Sequence, residues 1–530
     1  MRRSAVPTTA VFAAAALSCA AAALTGQDSA NPGPVRTLIG VEYVQPGMAA
    51  MLAGTAAPAV KYFPDAYAWG KMQPSAGAAI GFSVTDGYVR EYQQAGFAEL
   101  VMALNPRSSW ASRSGTDLSP KPEYLDAYGQ WVAALVERYD GDGVADMPGL
   151  ARPVRTYEIG TEFSTYEPEP VQHYLGMLER AHQAAHAAFS GVRIAHCAFL
   201  TTTAFAGNPT PEQYESAFAA VNPRIMVHPL ADLRAVLDHP ELFELVNAHS
   251  IGDPDEIAAI AAWLRWEMAQ RGYTRPIVIS DTSTTPFIAW GPATLCTGLP
   301  AQLGITVPPA VEADRCRLAA YFTSLVAGDA ATVRWTQAFA ASDLVEKVVI
   351  ATEQDIELID TWSTEDIWFL KLPLLGAGAG TAAWAGMAEW TANPFTEQRT
   401  FISRRPALSA LEQVVRHLGA AETIMRLPHP DLRVRLFQLD GHGVRGWVGW
   451  LAALPVVLPG DPVPVVEVTV EAPAAPVVAE RVAGSGQPGC IYLSLATGPI
   501  IVPLTPAPLF VTAGSETRCT PRPRRHLSAR

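Results

Sequence analysis

Glu162 and Asp281 each stand just beyond a short apolar run, Arg155–Ile159 for the first and Pro276–Ser280 for the second. Other chemically capable side chains occupy matching places. Asp65 and Trp69 follow the run Ala59–Phe63, Asn105 and Trp110 follow Ala98–Leu104, and His249 closes Leu245–His249. Trp335 and Gln337 stand at and just beyond the end of Thr332–Trp335. Aromatic faces stack on sugar rings, and amides and carboxylates meet sugar hydroxyls. Two carboxyl groups in different protonation states cleave a glycosidic bond. Trp69, Trp110 and Trp335 are candidate platforms of this kind, with one or two of them expected in the core. Glu158 shares the strand parity of Glu162 and reads as half of an ion pair inside the fold, with an arginine as partner. His249 reads as a hydrogen-bonding wall residue. Asp281 can serve as nucleophile or base, or as the cap of the next helix. No Gly-x-Ser-x-Gly elbow is present to support an esterase triad.

Those side chains meet only if the runs that carry them are parallel strands opening on one bowl. Two further apolar runs, Thr37–Val41 and Val192–Ala198, complete a set of eight. Helical patterns separate them, among them Tyr124–Tyr139, Pro170–Ala188 and Pro254–Arg271, the last with Asp253 as its expected cap. Eight βα units in this length predict a (β/α)₈ barrel over residues 35–425, with Ala407–Leu418 as its closing helix. A doubly wound sheet is the alternative, but no Gly-rich fingerprint follows the first strand. From Arg433 onward the texture changes to short alternating strands between proline and glycine turns. A small antiparallel β-sandwich is expected over residues 430–515, followed by a disordered tail at 516–530.

At two places the sequence resembles the clan A glycoside hydrolases. Tyr157-Glu158-Ile159-Gly160-Thr161-Glu162 looks like their strand-four motif, whose last glutamate is the acid/base. Pro276-Ile277-Val278-Ile279-Ser280-Asp281 looks like their strand-seven motif, which ends on a glutamate nucleophile. Lys61-Tyr62-Phe63-Pro64, Asn247-Ala248-His249, the helix beginning Arg405-Pro406 and the segment Leu504–Val511 extend the resemblance over nearly the whole mature chain. It implies a glycosidase with Glu162 as acid/base and Asp281 as the second carboxylate. A carbohydrate is the partner, and no cofactor or metal is needed. Two departures stand where the chemistry is decided. Thr161 replaces the asparagine that holds the sugar 2-hydroxyl, and Asp281 replaces the glutamate. On an unchanged backbone the shorter side chain retreats by about 1.5 Å. A retaining separation of about 5–5.5 Å would then open to about 6.5–7 Å. The alternative function is therefore a catalytically impaired barrel that holds a glycan at the cell surface.

Bulk properties narrow the field. The 530 residues are 49% hydrophobic and 17% charged, with a formal net charge of -13. The lysines are scattered, so nothing resembles a phosphate-tracking stripe and a nucleic acid is not an expected partner. Arg2 and Arg3 before an alanine-rich apolar run predict a signal peptide within residues 1–30, hence a secreted or cell-envelope protein with no membrane span after its removal. Cys19 is a candidate lipid anchor. Cys296 could pair with Cys316 and Cys490 with Cys519, while Cys197 reads as a buried thiol. No cysteine spacing fits zinc.

Overall fold

Eight strands rich in valine, isoleucine and leucine pair in parallel and close on themselves. They are β1 (Leu38–Val44), β2 (Ala59–Tyr62), β3 (Glu99–Leu104), β4 (Thr156–Glu162), β5 (Arg193–Leu200), β6 (Val246–His249), β7 (Ile277–Thr282) and β8 (Leu358–Thr361). The seam pairs Leu38 with Leu358 and Gly40 with Asp360. This computed structural model describes residues 33–514 except 63–67, 114–118, 164–168, 202–203, 206, 222–227, 285–311, 367–382, 394–395, 442–443, 453–456, 474–475, 483–488 and 494–497. Asp65, Cys19, Cys296, Cys519, the expected signal and the tail lie outside the described residues.

The last strand is a correction. Thr332–Trp335 belongs to a 24-residue helix, Ala330–Glu353, and the eighth strand comes after it. The Asp329 side chain caps that helix by accepting the Thr332 N–H at 2.8 Å. A single β-branched and aromatic turn cannot hold an extended shape against a good cap and an alanine-rich continuation. Asp253 is a smaller correction. The helix it was expected to cap starts only at Glu256, and Asp253 instead accepts the Asp255 N–H at 3.0 Å in a turn.

Inside the barrel the floor is apolar: Ala59, Val101, Ala195, Leu245, Val278 and Leu358 pack as one layer. Charged side chains lie above that layer, toward the strand C-termini. Helices surround the strands, including α1 (Ser83–Gln94), α2 (Leu125–Glu137), α3 (Val171–Ala188), α4 (Leu230–Leu237), α5 (Glu256–Gln270), α6 (Glu312–Val326), α7 (Ala330–Glu353) and α8 (Pro406–Gly419). A hairpin, β9 (Ala388–Ala392) with β10 (Arg399–Arg404), precedes α8.

The sandwich starts earlier than expected, at β11 (Thr423–Arg426), and borrows Gly33–Pro34 from the N-terminal side as an edge strand. Its main sheet continues with β12 (Val434–Gly441) and β13 (Val444–Leu451). A two-stranded sheet, β14 (Val466–Glu471) with β17 (Pro499–Leu504), covers one face. In the main sheet β18 (Leu509–Ala513) lies between β13 and β15 (Val477–Arg481), and β16 (Cys490–Leu493) ends it. Val434, Leu436 and Trp447 face Val468, Val470 and Val502 across the sandwich. Phe437, Val448, Trp450 and Phe510 instead join the barrel's own core beside Leu408 and Leu411 of α8. Cys197 is a buried cysteine outside any disulfide, and Cys316 and Cys490 each take part in a disulfide.

Candidate active site

Lys61 is the pivot of the charged layer. Its buried ammonium forms ion pairs with Glu158 Oε2 at 2.9 Å and Glu42 Oε1 at 3.1 Å, and donates to the Ser280 carbonyl at 3.0 Å. Burial works against that charge, but Glu158, Glu42, Asp281 and Asp360 together hold its pKa well above the ordinary lysine value. Glu158 is thus a structural ion-pair partner, as its parity suggested, but to a lysine and not an arginine. Asp360 on β8 reaches into the same layer, and burial pushes its pKa up to about 8. Gly40 makes room for it, since a Cβ there would sit 1.9 Å from Asp360 Oδ1.

One layer higher, three side chains converge. His249 Nδ1 lies 2.8 Å from Glu162 Oε1 and 4.0 Å from Asp281 Oδ2, while its Nε2 lies 3.0 Å from Ser280 Oγ. One oxygen of each carboxylate and one histidine nitrogen all lie within 4.8 Å of one another. Strand irregularities aim them. The ladders slip between Ile159 and Glu162, between Ala248 and His249, and between Ile279 and Thr282. Bulges of this kind redirect side chains at barrel rims. Gly160, at φ 93°, supplies the turn in β4 that brings Glu162 inward. Tyr43, just past Glu42, takes the left-handed φ of 65°, a strained conformation for a tyrosine.

The environments separate the protonation states. Burial raises Glu162 to about 7, with Lys61 opposing. Burial also lowers His249 to about 4, so the imidazole is neutral. Asp281 is raised as well, by burial first and by Glu162, with Lys61 and a hydrogen bond with Glu42 opposing. Glu42 is pushed well above the carboxylate range by burial and by Asp281. Glu42 Oε2 and Asp281 Oδ1 are buried without another hydrogen-bond partner. A proton held on Glu42 and donated to Asp281 meets that need and keeps Asp281 anionic. The neutral His249 can donate to the Glu162 carboxylate or accept from its acid form, by exchanging tautomers.

The remaining expected residues divide. Thr161 sits beside Glu162 at the end of β4, half-buried. Asn105 is buried at the end of β3, where its Oδ1 accepts the Arg107 N–H at 3.0 Å. Trp69 is fully buried and packs edge-on to Trp110 at 4.6 Å, so it is a core residue and not a sugar platform. Trp110 is half-buried and donates to the Gln73 carbonyl at 2.8 Å. Trp335 lies on α7 and stacks on Phe339 in a cluster with Tyr321 and Phe322. The tryptophan that follows the true eighth strand is Trp362, edge-on to Tyr43 at 5.7 Å. Sequence reasoning missed it with Glu42, Ser280 and Asp360. Their signal was a single polar letter inside or at the end of an apolar run.

Glu162, His249 and Asp281 are also a donor set of the kind that could hold a divalent ion. Two other groups of such side chains stand outside the barrel mouth: His182, His186 and Glu244, and Asp140, Asp142 and Asp146. Among the described residues no helix is long and apolar enough to cross a membrane.

No protein-family model matches the sequence, and no match was found among curated proteins. Solved structures do match. A family 39 glycoside hydrolase from Bacteroides cellulosilyticus WH2 superposes with a TM-score of 0.57 at 11% identity, over 90% of this chain and 81% of that one. A 4-O-α-L-rhamnosyl-β-D-glucuronidase from Fusarium oxysporum 12S gives 0.51 at 11% identity, over 91% of this chain and 98% of that one. A monomeric β-xylosidase from Caulobacter crescentus CB15 gives 0.50 at 12% identity, over 91% and 97%. At such identities the likeness speaks for architecture alone, and barrel and sandwich together have the fold of these glycoside hydrolases.

Proposed function

We propose that the protein is a glycosidase that cleaves an extracellular poly- or oligosaccharide with two carboxyl groups, Glu162 as the acid and Asp281 as the nucleophile. The observation that carries this reading is the approach of a Glu162 oxygen to an Asp281 oxygen within 4.8 Å, beside a shared histidine. Oxygens that close are compatible with the separation of about 5–5.5 Å between carboxyl groups at which one of them attacks directly. Glu162, at about 7, carries a proton to give to the leaving oxygen near neutrality. Asp281, backed by Glu42 and Lys61, attacks the anomeric carbon. His249 then donates to the spent Glu162 carboxylate while that group activates water for the second step. Thr161 takes the place beside the acid where a sugar 2-hydroxyl is held. We assign the protein to the secreted or envelope fraction on its signal-like N-terminus, with Cys19 as the point of any lipid attachment.

Screening the purified mature protein against aryl glycosides and oligosaccharides tests the reading, with Glu162→Gln and Asp281→Ala as controls. Glycan binding without turnover in the wild type would establish the impaired, binding-only alternative.

A further inference from the structure

The opposite end of the barrel carries a second convergence of donors. His182 and His186 lie one turn apart near the C-terminal end of α3, on one face of the helix. Their ring centroids are 4.3 Å apart. Glu244 stands just before β6, where its Oε2 accepts the Ile194 backbone N–H at 2.8 Å. That bond fixes the carboxylate and presents Oε1 outward. Both histidine Nε2 atoms meet the same Oε1, His182 at 3.3 Å and His186 at 3.2 Å.

These spacings have a meaning. In a tetrahedral zinc site, with bonds of about 2.0–2.1 Å, neighbouring ligand atoms stand about 3.4 Å apart. Both nitrogen–oxygen distances fall close to that value. Glu244 also has the outer-shell hydrogen bond that orients a metal-binding carboxylate. The side chains of His182, His186 and Glu244 are 20%, 29% and 34% exposed, so an ion can reach them from solvent. Beside them opens a groove of about 600 Å³, lined by His182, Glu179, His239 and Glu241 among others.

We propose that His182, His186 and Glu244 bind a divalent transition ion of the zinc class, with water from the groove as fourth ligand. The ion clamps α3 to the segment that leads into β6. Its place at the N-terminal face of the barrel assigns it to stability and not to the chemistry at the mouth.

The test is a calorimetric titration of the chelator-stripped, dialysed full-length protein with ZnCl₂ near neutral pH, accompanied by melting curves. One equivalent should bind and raise Tm. His182→Ala and His186→Ala should each weaken that binding by more than the 10- to 100-fold typical of losing an outer-shell partner. Both should leave the melting curve of the metal-free protein nearly unchanged. Glu162→Gln, titrated in parallel, should keep the full equivalent, which separates this site from the donors at the barrel mouth. Acidification should release the ion, because the imidazoles must be neutral to bind. Absence of saturable zinc uptake by the wild type overturns the proposal. So does uptake that survives in the double variant His182→Ala, His186→Ala.

Discussion

Asp281 lies in a crowd of buried acids, and burial first of all raises its pKa. Glu42, Glu158, Glu162, Asp281 and Asp360 share one buried ammonium, Lys61, and a histidine held neutral. They cannot all ionise, and the chemistry lies in which ones do not. On the proposed reading, turnover needs Glu162 protonated and Asp281 charged. With Glu162 at about 7, kcat/KM should fall as pH rises above about 7. It should fall again in acid as Asp281 takes up a proton. A profile flat from neutral to alkaline pH contradicts Glu162 as the acid. Lys61→Met strands the Glu158 carboxylate without its counter-charge, and about 3–5 kcal/mol of stability should go with it, read from denaturant melts. At this scale the sequence was legible where a polar residue ended a strand, as with Glu162, His249 and Asp281. It was opaque at Glu42 and Asp360, because an acid on an interior strand face looks like any solvated one until Lys61 is placed beside it.

The seam between β1 and β8 depends on one missing methyl group. Gly40 faces Asp360, and Gly40→Ala puts its Cβ 1.9 Å from Asp360 Oδ1. Overpacking of this kind costs about 1–3 kcal/mol. The loss of Tm should be largely recovered in Gly40→Ala, Asp360→Ala, and an equal loss in single and double variants would place the clash elsewhere. The seam was also where the element reading failed. Thr332–Trp335 has strand-like composition, but the Asp329 cap and the alanines around it form α7. The true strand, Leu358–Thr361, is four residues long and is a strand because its neighbours on both sides need a partner. Propensity over so short a window yields to tertiary pairing. The seven strands before it were legible because each is an apolar run between recognisable helices.

Barrel and sandwich form one molecule through a common core and a partly buried ion cluster. Phe437, Trp450 and Phe510 pack with the barrel's closing helix, α8. Glu480 on β15 receives Arg416 at 2.6 Å and His417 at 3.1 Å from α8, and the His417 ring stacks on Phe510 at 4.2 Å. Burial alone would raise Glu480, but His417 and Arg416 hold it at about 2. A folded value below the unfolded one stabilises the native state above the ordinary glutamate range, and that stability is lost as pH falls from about 4.5 toward 2. Glu480→Gln should therefore flatten the acid limb of the Tm–pH curve, and an unchanged limb would remove this contact from the account. Truncation after Leu427 should yield an aggregating barrel, since it uncovers the apolar side of α8. A soluble product melting with the full chain would contradict the shared core. The account's central claim is the pairing of Glu162 with Asp281, and turnover of an aryl-glycoside panel by the single and double variants tests it most directly. Glu162→Gln should lose about 10²–10⁴-fold, least on substrates with good leaving groups. Asp281→Ala should lose all turnover and regain it with azide, as a glycosyl azide of inverted configuration. Wild-type rates in the Glu162→Gln, Asp281→Ala double variant would contradict the claim.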